Sequence, residues 1–370
     1  MKVICDRGAL LETLNIVSGA VVSRTPKPVL TCVKLSADDS SLTLSATDME
    51  VSVQVSTPRV EVSEAGEALI PADKLSQITR ESLDPTLTIE SDKEAVHIRG
   101  QDAHFKVFGY APTEFPGAPT FDGNPDFEMT ERELGQLIHR TLYATARENS
   151  RYAINGVLVE REKNKIHVVA TDGHRLALAR GDCQSGEAET NSAIVPTKAL
   201  NMLQKLLGDE DNMVRVKVAD NQILFATGDA VIASNLVEGN FPPYKDVVPK
   251  DGDKKATLGT DVLISAFRRA ALLTNEESKG VKMSFNGEAG AGGLKLMSRA
   301  PEMGEAEIDV ECGEYDGESI DIGFNPAYVL DALKVIETDK IQLDMKAPNK
   351  PGVIRTGPNF TYVIMPVNLQ

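Results

Sequence analysis

One pattern occurs three times along this 370-residue chain and constrains its fold more than any other feature. Each third opens with an amphipathic stretch of helical spacing, at residues 7–21, 130–147 and 260–275. Each third also has a second helical stretch that begins at a proline, a residue suited to a first helical turn: Pro71, Pro196 and Pro326. The period of roughly 125 residues predicts three copies of one domain.

Alternating, strand-like segments lie between the two helices of each third. Leu42–Asp48 and Ile166–Asp172 both end in Ala-Thr-Asp and occupy matching positions in the first and second copies. A Phe-Pro turn closes each of these copies, at Phe115-Pro116 and Phe241-Pro242. With two helices and roughly eight short strands in each copy, we predict an α+β fold in which helices cover one face of antiparallel sheets.

Segments rich in Pro, Gly and Asp mark the boundaries between the copies, at residues 117–126 and 249–255. They predict three domains, at residues 1–122, 128–249 and 254–370.

The composition excludes several classes of protein. The longest apolar runs fall short of the ~20 residues that span a bilayer, and the first residues lack the apolar core of a signal peptide, so we expect a cytoplasmic protein with no membrane partner. The four cysteines are scattered, without a CxxC pair or clustered histidines, which predicts buried thiols and no metal site. Because the chain also lacks a Gly-rich phosphate loop, we expect no cofactor.

The net charge of −16 argues against a simple electrostatic nucleic-acid binder, which is normally basic. The basic residues are unevenly placed, however: the six predicted helix cores contain eleven Lys/Arg and six Asp/Glu. Either this is chance variation among solvated faces, or the helices face a polyanion while an acidic exterior repels one. Weak phosphate contact would suit a protein that must slide along its partner.

The motif Thr171-Asp172-Gly173-His174-Arg175 has two interpretations. An acid/base pair of Asp172 and His174 would make the chain a hydrolase, but the sequence supplies no GxSxG or HExxH partner motif. Asp-Gly between two strands is also a tight-turn signal, so the motif equally fits a polar hairpin. For the chain as a whole, a further alternative to a hydrolase is an acidic, β-rich interaction scaffold with no role on DNA.

The last strand-like segment, Tyr362–Val367, contains Met365 and Pro366 beside branched apolar residues. It fits the closing strand of the third copy, and its methionine also suits an adaptable apolar surface for a peptide.

Four segments of the chain together resemble the bacterial DNA polymerase III β subunit family, the sliding clamps. These segments are Arg151–Gly156 (RYAING), Ala170–Leu176 (ATDGHRL), Glu238–Tyr244 (EGNFPPY) and Met365–Val367 (MPV). The resemblance covers the whole chain. It implies three domains of the DNA-clamp fold, with two helices on antiparallel sheets in each, and a head-to-tail homodimeric ring that encircles duplex DNA.

The resemblance further implies a non-enzymatic processivity subunit. Its partners would be double-stranded DNA, a second copy of the chain, the catalytic subunit of the replicative polymerase, the clamp loader and other proteins that carry a clamp-binding motif.

The resemblance also places a pocket for partner peptides between the second and third domains. It implies the residues Ile154, Thr171, Gly173, His174, Arg175, Leu176, Pro242, Val247, Val363, Met365, Pro366 and Val367. The segment around Lys350–Gly352 is expected to complete this pocket.

For DNA, the resemblance implies contacts from Arg24, Arg151, Tyr152 and Lys198. The sequence departs from the family pattern at two places: Asp73 stands where relatives often have a basic residue, and Ala153 where a second aromatic is expected. Both departures predict weaker DNA contact without affecting the ring.

Overall fold

The structure is a computed structural model that describes residues 1–92, 95–146, 153–185, 190–208, 211–274, 280–287, 293–301 and 303–368. Its elements follow the threefold repeat of the sequence.

The first copy has two helices, α1 (Arg7–Val17) and α2 (Ala72–Glu81). Its strands are β1 (Lys2–Asp6), β2 (Cys32–Ala37), β3 (Leu42–Thr47), β4 (Val51–Thr57), β5 (Val60–Glu64), β6 (Gly66–Pro71), β7 (Thr86–Ser91), β8 (Ala95–Arg99) and β9 (His104–Phe108).

The second copy has helices α3 (Glu131–His139) and α4 (Thr197–Gln204). Its strands are β10 (Phe127–Thr130), β11 (Gly156–Glu162), β12 (Lys165–Thr171), β13 (Arg175–Asp182), β14 (Gln184–Ser185), β15 (Thr190–Pro196), β16 (Met213–Val218), β17 (Gln222–Thr227) and β18 (Ala230–Asn235).

A four-residue helix, α5 (Tyr244–Val247), precedes the third copy, whose own helices are α6 (Thr260–Ala270) and α7 (Pro326–Leu333). The strands are β19 (Lys254–Gly259), β20 (Val281–Phe285), β21 (Gly293–Ala300), β22 (Gly304–Asp316), β23 (Ile320–Phe324), β24 (Lys340–Met345), β25 (Gly352–Thr356) and β26 (Phe360–Ile364).

The predicted helices form where expected but are shorter, and each copy shortens its first helix in the same way. The α-helical part of α1, α3 and α6 is followed by a 3-10 turn, at Ser18–Ala20, Leu142–Ala144 and Ala271–Leu273. The tighter 3-10 turn is a common way to end a helix. Thr130 and Glu133 have the spacing of a helix capping box, and the structure confirms it: the Thr130 hydroxyl accepts from the Glu133 N–H at 3.2 Å.

The chain divides into two compact units. Unit 1 is Met1–Gly135 with Cys183–Leu236, and unit 2 is Gln136–Asp182 with Val237–Gln370. The second copy is divided because its strands join both neighbours: β18 pairs with β4 of the first copy, and β13 pairs with β26 of the third.

Unit 1 contains two antiparallel sheets. Their strand orders are β5-β1-β7-β8-β9 and β14-β10-β16-β17-β18-β4-β3-β2-β6. Helix α1 buries Leu10, Leu14 and Val17 and packs against α2 and β4, which accounts for the apolar stripe in the sequence.

In unit 2 the strands run in the order β11-β12-β13-β26-β25-β24-β19-β22-β21-β20-β23. Helix α6 buries Leu263 and Phe267 and packs against α7 and β22. These antiparallel sheets with helices on them confirm the predicted α+β class.

Cys5, Cys32 and Cys183 are buried, as predicted, but the prediction is wrong for Cys312, which is only partly buried on the exposed strand β22. Burial raises the pKa of the Cys5 thiol to about 12 and that of Cys32 to about 11, which keeps both protonated and unreactive. Among the described helices, none is long and apolar enough to cross a membrane.

Candidate functional site

The Thr171–Arg175 motif folds as a tight turn between β12 and β13. Gly173 has φ +89°, a conformation that favours glycine. The Asp172 carboxylate accepts from the backbone N–H groups of His174 and Arg175, both at 3.0 Å. The Thr171 hydroxyl accepts from Gly173 N–H at 3.1 Å and donates to the Arg175 carbonyl. Asp172 and Thr171 therefore hold the turn, as the hairpin interpretation predicted.

Arg175 is the centre of a largely buried network, with only 9% of its side chain exposed. Its guanidinium lies 3.0 Å from the Asp172 carboxylate and 2.8 Å from that of Asp331 on α7, and it donates to the Tyr143 carbonyl at 2.9 Å. It also lies over the Tyr328 ring, 4.5 Å from the centroid. The residue that the resemblance placed in a pocket thus ties the turn to α7.

A row of paired residues crosses the sheet beside this turn. Thr171 pairs with Leu176, and Leu176 pairs with Val363 on β26. Directly paired residues on antiparallel strands lie side by side on one face. All three are buried, so they form the floor of the candidate site.

The end of β26 stays attached to the turn while its side chains become accessible. The N–H of Met365 donates to the His174 carbonyl at 2.9 Å, and Val367 N–H donates to the Gly323 carbonyl at 2.9 Å. Met365 is 40% exposed although it is a large apolar residue. An accessible methionine beside a buried apolar floor is suited to binding apolar side chains.

Helix α5 lies over the same face of the sheet. The Tyr244 hydroxyl donates to the Glu160 carboxylate at 2.6 Å and lies 3.3 Å from His167 Nδ1. Because His167 and Thr171 are four residues apart on β12, alternation places both on one face. At the end of α5, Val247 is 44% exposed.

The structure therefore brings the predicted turn, Leu176, Val363 and Met365 together through strand pairing and backbone hydrogen bonds. Pro242 precedes α5, which lies over the face of the sheet that carries Thr171, Leu176 and Val363, and Pro366 directly follows Met365. Ile154 is buried, and its carbonyl accepts from Ala146 N–H at 3.0 Å.

Of the predicted DNA contacts, Arg151 and Tyr152 lie outside the described residues. Arg24 is exposed. Lys198, at the start of α4, forms an ion pair with Asp48, which follows β3. The pKa of Asp48 is lowered: burial acts to raise it, but the Lys198 ammonium and the N–H groups of Glu50 and Val51 outweigh that effect.

The predicted excess of basic residues in the helices is wrong when the helices are counted between the ends that the structure gives them. Helices α1, α2, α3, α4, α6 and α7 together contain seven Lys/Arg and seven Asp/Glu. The excess came from cations just beyond the helix ends, such as Arg140, Lys205 and Lys334, where the negative end of the helix dipole favours them.

The exposed apolar residues of β9 and of the turn after α6 were not identified from the sequence. Strand β9 is exposed along most of its length and carries Phe105 and Phe108, the latter 69% exposed. Leu272, in the 3-10 turn after α6, is also exposed. The signal that could have revealed β9 is its HFKVF sequence, which has aromatic residues on both faces of the strand.

The site offers little for acid/base or metal chemistry. The Asp172 carboxylate is occupied by the turn and by Arg175, and the His174 ring stacks near Tyr328 with centroids 6.3 Å apart. Within the described ranges, no group of three or more His, Cys, Asp or Glu side chains could hold a metal ion.

Comparison with known proteins covers the chain from end to end. Three family models match in order: the N-terminal domain of the DNA polymerase III beta subunit at residues 1–119, its central domain at 128–243 and its C-terminal domain at 245–368.

Relatives and solved structures agree. The beta sliding clamp of Pseudomonas putida is 34% identical over 98% of this chain and 99% of its own length, and that of Escherichia coli K12 is 32% identical over the whole of both. The crystal structures of DNA polymerase III subunit beta from Pseudomonas aeruginosa (33% identity, TM-score 0.91) and of the sliding clamp from Bacillus subtilis (28%, 0.94) also match the whole of both chains. The chain belongs to the DNA polymerase III beta subunit family, the sliding clamps, which are non-catalytic processivity factors of the polymerase.

Proposed function

We propose that two copies of this chain close head to tail into a ring around duplex DNA and tether the catalytic subunit of the replicative polymerase to its template. The observation that carries the proposal is the match of the whole chain, in sequence and in fold, to sliding clamps. In each copy the three domains would be residues 1–122, 128–249 and 254–370.

A closed ring explains how an acidic protein can work on DNA. A ring holds DNA by topology, so its phosphate contacts can be few and weak, and weak contacts allow sliding. A polymerase bound to the ring stays at a high effective concentration near the template, which is the origin of processivity. A ring of this kind needs no bond chemistry, so the hydrolase alternative has no role to fill. The scaffold alternative had no role on DNA, and membership of the sliding-clamp family argues against it.

Two open strand edges support the homodimer. Among the described strands, β9 pairs only with β8, and residues 304–311 of β22 pair only with β21. The edge of β9 carries Lys106 and exposed aromatics, whereas residues 304–311 carry four acidic side chains. Opposite charges and apolar residues on two free edges favour pairing between copies, and a head-to-tail contact that closes leaves neither edge open.

The pocket for partner peptides would be the apolar face between the 171–175 turn, α5 and the end of β26. The buried floor of Leu176 and Val363 and the exposed rim of Val247 and Met365 fit a short segment with apolar and aromatic side chains. We assign the same pocket to the clamp loader and to other proteins that carry such a segment, and we place all of these encounters in the cytoplasm.

For DNA we propose contacts from Arg24, Lys198, Arg151 and Tyr152. The ion pair between Lys198 and Asp48 supports the expectation of weak contact, since a phosphate must compete with a carboxylate for the same ammonium group. Asp73, the first departure from the family pattern, lies 3.3 Å from the Lys74 ammonium group. A phosphate would have to compete with this carboxylate as well.

Light scattering over a dilution series, followed by loading onto nicked circular DNA, tests the proposal. We expect a mass of twice 39.9 kDa and retention on circular DNA that is lost when the DNA is linearised. A persistent monomer, or retention that ignores linearisation, contradicts the ring.

Substitution of Phe108 by Ser should favour the monomer, because it removes an exposed aromatic from the β9 edge. The matched change of Phe121 to Ser, in the boundary segment at residues 117–126, should leave the mass unchanged.

A further inference from the structure

A cleft in unit 2 continues the apolar floor of the proposed peptide pocket. It has a volume of about 430 Å³ and lies among the linker at residues 249–252, the end of β24 and the starts of β25 and β19. Val353 on β25, which lines the cleft, is the direct strand partner of Val363 in the pocket floor.

Strand register connects the two sites in one line. Val353 also pairs with Asp344 on β24, and Asp344 pairs with Lys255 on β19. The row that begins at Thr171 and Leu176 therefore runs through Val363 and Val353 to Asp344 and Lys255 on one face of the sheet. Neighbouring strands are about 4.8 Å apart, so three strand spacings, about 14 Å, separate Val363 from Lys255. A peptide a few residues longer than the apolar segment spans that distance.

The row is apolar from Leu176 to Val353 and ends in the charged pair of Asp344 and Lys255, where the cleft lies. The cleft is lined by five basic side chains and two acidic ones, in a protein whose net charge is −16. Such a local excess of positive charge attracts anions to one place on an otherwise repellent surface.

Two of the five cations are already neutralised. Lys346 forms an ion pair with Asp251, and the Arg355 guanidinium lies 3.1 Å from the Asp344 carboxylate and donates to the Pro249 carbonyl at 3.3 Å. These contacts fix the walls of the cleft.

The other three cations are available. Lys250, Lys255 and Lys350 are exposed, and no carboxylate of the described residues lies within 4.0 Å of their ammonium groups. They stand on three different segments around the opening, so a bound anionic chain would meet them from several sides.

We propose that this cleft, defined by Lys250, Lys255 and Lys350, is a second subsite that binds acidic residues flanking the apolar segment of a partner peptide. The inference rests on the proposed function of the neighbouring pocket and adds a charge preference to it. The continuous row favours a peptide over a nucleic acid, because one extended chain can place apolar side chains on Leu176 and Val363 and carboxylates at the lysines.

The test uses fluorescently labelled peptides and the full chain. The probe is the clamp-binding segment of the polymerase catalytic subunit from the same organism, extended at either end by four Glu or by four Gln. At low ionic strength we expect the Glu extension at one end to bind on the order of tenfold more tightly than its Gln counterpart, with the gain reduced by salt.

The matched variants separate the cleft from general charge. In Lys250→Gln/Lys255→Gln, which leaves the pocket segment around Lys350 intact, the gain from the Glu extension should be largely lost while the Gln-extended peptide binds as before. The control, Lys282→Gln/Lys295→Gln, changes the net charge equally on β20 and β21, which do not line the cleft, and should keep the gain.

Equal affinities for Glu and Gln extensions overturn the subsite and leave the pocket standing. A gain that survives the double substitution at the cleft overturns its location. If a dT oligonucleotide binds at the three lysines and the Glu extension brings no gain, the cleft is a phosphate site and the peptide proposal is wrong. If the Gln-extended peptide itself fails to bind, the pocket proposal fails and the subsite falls with it.

Discussion

Arg175 offers the sharpest test of how the site is held together. Replacing it by Met keeps the length of the side chain but removes the charge, so Asp172 and Asp331 each lose a cation at about 3 Å. Removing one partner of a buried ion pair typically costs about 3–5 kcal/mol. The Asp331 side chain is 33% exposed and regains water, which lowers the cost, whereas loss of the stacking on Tyr328 adds to it. We expect a loss of about 2–4 kcal/mol in the free energy of unfolding.

The assay is urea unfolding followed by circular dichroism, because the chain has no Trp to report by fluorescence. The control is Arg299→Met, which removes a cation from an ion pair with Glu305 whose members are both well exposed. Exposed pairs contribute at most about 1 kcal/mol, so the control should unfold close to wild type.

A double-mutant cycle with Asp331→Asn isolates the pair itself. We expect the double variant to be more stable than the sum of the single losses predicts, by about 1 kcal/mol or more. A loss below about 1 kcal/mol for Arg175→Met, or strict additivity in the cycle, refutes the claim that Arg175 ties the turn to α7.

Three further predictions concern the pocket and the DNA contacts. Met365→Ala/Pro366→Ala should abolish binding of the polymerase peptide, measured by fluorescence anisotropy, with no change in solution mass; unchanged affinity contradicts the assignment. Asp48→Asn should free Lys198 and raise the salt slope of DNA binding by up to one phosphate contact, about 0.9 in log–log units, and adding Lys198→Ala should remove the increase. The pKa of Glu160 is lowered: burial acts to raise it, but the Tyr244 hydroxyl and the Lys245 ammonium group outweigh burial. The stabilisation that ionised Glu160 gives to α5 is therefore present above the ordinary pKa of 4.5 and is lost as the pH falls below it. Peptide affinity should therefore decline below pH 4.5, and Glu160→Gln should flatten that decline; an identical pH profile for both proteins contradicts it.

The threefold repeat and the helix positions could be predicted because both follow from periodic patterns of neighbouring residues in the sequence. An apolar stripe such as Leu10, Leu14 and Val17 has one arrangement that buries it, and a proline before a helix constrains where that helix begins. The ends of the first helices could not be predicted in the same way. Thr141 continues a helical pattern in sequence, yet its hydroxyl donates to the Leu137 carbonyl, four residues earlier, just where α3 gives way to a 3-10 turn.

The partners of charged side chains depend on contacts that are distant in sequence. Lys198 and Asp48 are 150 residues apart, and only the folding of unit 1 shows that a predicted phosphate ligand already has a carboxylate beside it. Arg175 and Asp331 are 156 residues apart, so their ion pair also appears only in the folded chain. That pair belongs to the network that gives the catalytic-looking motif a structural role. The motif could be found from sequence, but its role could not.

Strand register explains why the row from Thr171 to Lys255 was also beyond sequence reasoning. A shift of one residue in any of its pairings would turn a side chain to the opposite face and break the line. The five pairings that build it join β12, β13, β26, β25, β24 and β19, which come from two copies of the repeat. Leu176 thus joins Val363, and through it the line to Lys255, only because the second copy shares a sheet with the third.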